Sequence, residues 1–130
     1  SITQTKNSSF ITSPQKQWEA TVRNVGCICT GWHHQEPYEP GDIQLHHVVG
    51  LTGKQDKTLI GPWYILPLHW RLHDPNSDHP VNVTHSKNKF IAQYGTEKEL
   101  FMKMIYALLC AGIPVPFDMD VLNAIAQSHR

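Results

Sequence analysis

Residues 42–49, DIQLHHVV, and residues 63–74, WYILPLHWRLHD, carry the architecture of this chain. The first stretch alternates: Ile43, Leu45 and His47 fall on one face and Gln44, His46 and Val48 on the other, which predicts a strand over Asp42 to Val49. Trp63 to Leu68 predicts a second short strand, limited by Pro67, which has no N–H to give to a ladder. His69 to Asp74 then starts a helix whose length is restricted by Pro75 and the NSDHP that follows. The intervening residues 50–62, GLTGKQDKTLIGP, read as a turn-rich connection. The expected unit is β-β-α, with histidines on the first strand and on the helix.

Outward from this unit, residues 1–12 are polar and aperiodic and predict a flexible lead-in. Ser13 reads as a helix cap with Pro14 at the first helical position. Trp18, Val22 and Val25 form an apolar stripe that Gly26 ends. Residues 27–41, CICTGWHHQEPYEPG, predict an irregular loop. Beyond His85, the stripe Phe90, Ile91 and Tyr94 predicts a helix stopping at Gly95. Thr96 and Glu99 then form a capping box opening a stronger helix, with Leu100, Phe101, Met104, Ile105, Leu108 and Leu109 on one face and Gly112 at its end. A last helix is expected from about Asp118 to Ser128, with Val121, Leu122 and Ile125 apolar. The division is a lead-in over 1–12, a β-β-α domain over 13–95, and C-terminal helices over 96–130 packed on the same domain.

The chain has 130 residues, enough to bury one modest core, and nine histidines, of which all but His129 lie between residues 33 and 85. Lysine plus arginine and aspartate plus glutamate balance at 11 each, so no global field marks a nucleic-acid binder, and local charge has to do that work. Lys54, Lys57 and Arg71 lie in the histidine-rich half and are candidate phosphate contacts, against the alternative of solvated surface. Three cysteines make an odd number without a disulfide-like spacing, and no apolar leader precedes them; both predict a reducing, cytoplasmic setting and no membrane association. For His79 and His129 solvated side chains are expected, and for His33 and His34 loop structure.

Imidazole is both a common metal ligand and a common general base, so the adjacent His46 and His47 can divide those tasks. His73 follows 26 residues after His47, and His85 12 residues after that. A divalent ion held by imidazoles beside a free imidazole makes a phosphodiester hydrolase from few parts. The run LHHVVG, a Gly- and Lys-containing loop, YILPLHWRLHD, and then HSKNKF-x-x-x-YGTEKEL resembles the HNH (ββα-metal) endonucleases. More narrowly it is similar to the phage and prophage recombination-enhancement nucleases, the Ref-type RecA-dependent family, over about residues 24 to 110.

That resemblance implies an α+β fold, a small ββα-metal core with flanking N-terminal and C-terminal helices. It implies His47 as general base, and His46, His73 and His85 as ligands of one divalent ion: Zn, Mg, Mn or Ni. It further implies DNA as substrate, RecA-bound DNA as a context, and the cytoplasm of a bacterial host cell. The chain departs from the family pattern in three places. Cys-x-x-Cys has become Cys27-Ile28-Cys29-Thr30, the cysteine of Pro-Leu-Cys is His69, and the first imidazole of the later pair is Leu72. A mixed structural zinc site could draw on Cys27, Cys29, His69 and either His33 or His34, against the alternative that the cysteines are small buried side chains. The family's middle asparagine has no counterpart near Trp63 and Tyr64. The competing function is a zinc-stabilised nucleic-acid-binding or protein-interaction module without catalysis.

Overall fold

A computed structural model describes residues 13–30, 42–48 and 61–127. The expected lead-in, together with His33, His34, Lys54, Lys57 and His129, lies outside the described residues. Among the described residues there are five α-helices and one two-stranded antiparallel sheet, a small mixed α+β arrangement. They run α1 (Pro14–Val25), β1 (Ile43–His47), β2 (Ile65–His69), α2 (Trp70–His73), α3 (Lys87–Tyr94), α4 (Glu97–Cys110) and α5 (Met119–Gln127).

α1 begins as its sequence predicts: the Ser13 hydroxyl accepts from the Lys16 amide at 3.2 Å and Pro14 opens the first turn. Trp18 and Val22 are buried, and the Trp18 indole donates to the Trp63 carbonyl at 2.9 Å, tying α1 to the turn before β2. The sheet pairs Ile43 with His69, Leu45 with Pro67 and His47 with Ile65. Pro67 does not end β2. It pairs without its missing N–H, and its carbonyl accepts from the Ile28 amide at 3.0 Å, so the Cys27–Thr30 turn lies along the outer side of the strand. β2 is shifted toward the C-terminus from the expected span, because Gly61–Trp63 is taken up in a 3-10 turn.

The core joins Trp18 and Val22 of α1, Ile65, Leu66 and Leu68 of β2, and Phe101, Met104 and Ile105 of α4 in one cluster. The C-terminal helices therefore share the core of the sheet. Tyr64 meets Phe101 edge-on at 4.7 Å between ring centroids, and Phe117 meets Trp18 edge-on at 5.2 Å. The capping box forms in full: the Thr96 hydroxyl accepts from the Glu99 amide, and the Glu99 carboxylate accepts from the Thr96 amide at 2.8 Å. Gly95 precedes it at φ 103°, a conformation that L side chains rarely adopt, so glycine is favoured there; a Cβ would also press on the movable end of Glu99 at 2.9 Å. Leu109, expected on the buried face of α4, is instead 46% exposed, because the core contacts end with Leu108.

Candidate functional site

The period-two alternation of β1 turns Gln44 and His46 to one side, where α2 meets them. α2 is only four residues long and is held from outside itself. His69 caps it, its Nδ1 accepting from the Arg71 amide at 3.3 Å, and Leu72 anchors it in the core. Asn82, fully buried, donates from its amide nitrogen to the Arg71 and Asp74 carbonyls, both at 2.9 Å. The Asn82 carbonyl oxygen accepts from the Thr84 and His85 amides. Thr84 also donates to the His73 carbonyl. One asparagine thus fixes the end of α2 against the segment that carries His85.

Held in this way, His73 meets His46 edge-on, with ring centroids 5.1 Å apart. Each ring is pinned by a side-chain acceptor. His73 donates from Nδ1 to the Gln44 Oε1 at 2.7 Å, and the Gln44 amide in turn reaches Asp74 at 3.5 Å. His46 donates from Nε2 to the Glu97 Oε2 at 2.5 Å. The other Glu97 oxygen accepts from the Lys87 ammonium at 2.9 Å. The His46 and Glu97 side chains are 13% and 12% exposed, so this is a partly desolvated contact joining β1 to the first turn of α4.

The electrostatics follow from these contacts. Burial opposes ionisation of Glu97, yet the hydrogen bonds from His46 and Lys87 hold its carboxyl below the usual value. Burial, and then the neighbouring His46, makes His73 harder to protonate than a free imidazole, with His47 adding to this and Asp74 opposing it. His73 is thereby biased toward the neutral form that a ligand or base requires.

His47 stands at the end of β1 with its side chain exposed, on the opposite side from His46. His85 is not brought to the pair in this arrangement. Its Nε2 donates to the Ser77 carbonyl and its Nδ1 meets the Ser86 hydroxyl, both at 2.8 Å. Among the described residues no group of three His, Cys, Asp or Glu side chains is placed to hold a metal ion. Arg71 is exposed on α2, its guanidinium 5.8 Å from the centre of the Trp70 ring. His79 is half-buried, its Nδ1 accepting from the Val81 amide at 3.0 Å, where a solvated side chain was expected.

The cysteine turn forms a separate cluster. The Cys29 thiol, the Thr30 hydroxyl and amide, and the His69 amide all donate to the Cys27 sulfur, which brings its thiol down to about 5 against the effect of burial. Cys29 is driven the other way by its hydrogen bond to Cys27 and by burial. His69 contributes its backbone here, while its ring caps α2.

Two residues of the candidate site escape a reading of the sequence. Gln44 was legible only as a member of the His46 face, and Glu97 was absorbed into the capping-box stretch, 51 residues from its partner. Comparison with protein-family models, with curated proteins and with solved structures finds no match to this chain. Among the described residues no helix is long and apolar enough to cross a membrane.

Proposed function

We propose that this chain is a metal-dependent endonuclease of the HNH (ββα-metal) type that hydrolyses phosphodiester bonds in DNA. The observation that supports it best is the pinned imidazole pair. His46 and His73 each commit one ring nitrogen to a side-chain acceptor, which places the lone pair on the opposite nitrogen. Metal-binding histidines characteristically donate their second N–H in this way, to a carboxylate or another acceptor. The donor set suits a divalent ion of the zinc, nickel or manganese kind, or magnesium when phosphate oxygens share in holding it.

In this reading His46 and His73 are the ligands. His85 joins them only by giving up its bonds to Ser77 and Ser86. A bound divalent ion would supply neutralising charge at the scissile phosphate and at the departing oxygen. His47, exposed at the end of β1 and near enough to His73 to disfavour protonation of that ring, would take the proton from the attacking water. Glu97 and Gln44 keep the two ligand rings from turning. Lys87, half exposed and already bonded to Glu97, stands at the rim with charge for a phosphate. Cleavage in a RecA-bound context rests on the sequence resemblance alone.

Purified protein incubated with plasmid and single-stranded DNA in Mg, Mn, Zn or Ni should cut, and His47→Ala should abolish the cutting. Cleavage that survives His47→Ala, or no cleavage with any of these metals, would reject the reading. The second reading, a zinc-stabilised module without catalysis, draws on the Cys27 sulfur, which is surrounded by donors as a metal-bound thiolate would be. Metal analysis separates the two. Zinc retained by His46→Ala but lost by Cys27→Ser belongs to the cysteine turn, whereas metal lost by His46→Ala belongs to the histidine pair.

A further inference from the structure

Five large apolar side chains are exposed among the described residues: Trp70, Tyr106, Leu109, Ile113 and Met119. Four of them lie on α4, on α5 or on the connection between those helices. Trp70 stands apart, on α2 and three residues before His73, which makes the two side chains neighbours on one face of that helix. Its indole, 37% exposed, is flanked by the His69 ring at 6.1 Å and 31° and by the Arg71 guanidinium at 5.8 Å. An aromatic plane, a cation and the imidazole pair thus share one short turn of helix.

We infer that Trp70, with Arg71 beside it, is the stacking platform for an unpaired base of single-stranded DNA whose phosphate lies at the His46–His73 pair. The inference rests on the nuclease reading and names its substrate form. Charge gives the first argument. The chain has no net charge, so long-range attraction to the phosphate backbone is weak and only local cations add to it, whereas base stacking does not depend on net charge. Shape gives the second. In a duplex the base faces are covered by their neighbours, so a ring fixed on a helix meets only a base that has left the stack. Arg71 suits the same ligand, because its guanidinium stands over the Trp70 ring, 5.8 Å from its centre, so that cation and indole form one stacked surface for a base, and it carries planar N–H donors for the adjoining phosphate.

Fluorescence anisotropy with a labelled oligothymidine and with a hairpin duplex of equal length, in buffer without added divalent metal, tests this on the full chain. Wild-type protein should prefer the single strand. Trp70→Ala should weaken single-strand binding roughly tenfold, Trp70→Phe should retain most of it, and duplex binding should be unchanged by either. Arg71→Ala should lower the slope of log affinity against log salt by about one phosphate contact. Unaltered thermal unfolding of Trp70→Ala would show that the loss is not a folding defect. The inference is overturned by any of four results: Trp70→Ala binding as tightly as wild type, tighter binding to the duplex, tighter binding to an RNA of the same sequence, or no binding to any oligonucleotide. Single-strand binding through Trp70 without cleavage in any metal would reject the nuclease and leave the platform standing.

Discussion

Glu97 carries two hydrogen bonds from two different elements, and this makes it the most informative side chain of the site. Replacing its carboxylate by an amide leaves the His46 Nε2–H a neutral, weaker acceptor and turns an N–H toward Lys87, so the ring is held less firmly. Glu97→Gln is therefore expected to lower the affinity of the histidine pair for a divalent ion by about 10- to 100-fold, with the far-ultraviolet circular dichroism unchanged. Isothermal titration with Zn or Mn measures it, and affinity equal to wild type would remove Glu97 from the site. The local sequence assigns Glu99 to the capping box and gives Glu97 no role beyond its place in the first turn. Both are acidic residues in the first turn of a capped helix, where the dipole favours either. Only the three-dimensional approach of β1, 51 residues away in sequence, gives Glu97 a second role. Gln44 was hidden for a related reason: amides carry no charge or ligand signature, and its bond to His73 is set by where α2 comes to rest.

α2 shows what an element can borrow from its surroundings. Four residues cannot nucleate a helix in water, so its conformation is imposed by the His69 cap, by Leu72 in the core and by Asn82 beneath its last turn. Asn82→Ala strands buried carbonyls and amides on both flanking segments. A loss of about 2–3 kcal/mol in unfolding free energy is expected, together with loss of the fixed His46–His73 approach. Urea denaturation measures the first, and histidine ring resonances the second. Elements with strong local rules could be read from the sequence. The first helix cap, the capping box and the breaks at Gly26 and Gly95 all stand where the residues put them. The misplacements came where tertiary contact overrides local pattern. Pro67 was read as limiting β2 but is accommodated, because its partner on the outer side is a turn that needs its carbonyl. Leu109 continued the apolar period of α4 after the core it would have entered had ended.

The described residues share one buried cluster with the histidine pair at its edge, so protonation at that edge acts on the stability of everything beneath. Burial and His46 make His73 harder to protonate when folded than in the unfolded chain, where imidazole titrates near ~6.5. The unfolded state then binds the extra proton first as pH falls, so this contribution to stability is complete above the ordinary imidazole range and is lost below it. Unfolding midpoints in urea should fall between pH 7.5 and pH 5.5. His73→Gln should shallow that fall, and an equal slope in the variant would assign it to other groups.

The bond from His46 to Glu97 also has an order in time. A chain made from its N-terminus has His46, His47 and His73 in hand before Glu97 has been added, but the two-stranded sheet lacks the α4 side of its core until then. The pair is therefore fixed only when α4 arrives, bringing together its share of the core and the carboxylate that accepts the His46 hydrogen bond. An unfinished chain carries the imidazoles without the carboxylate that aligns His46.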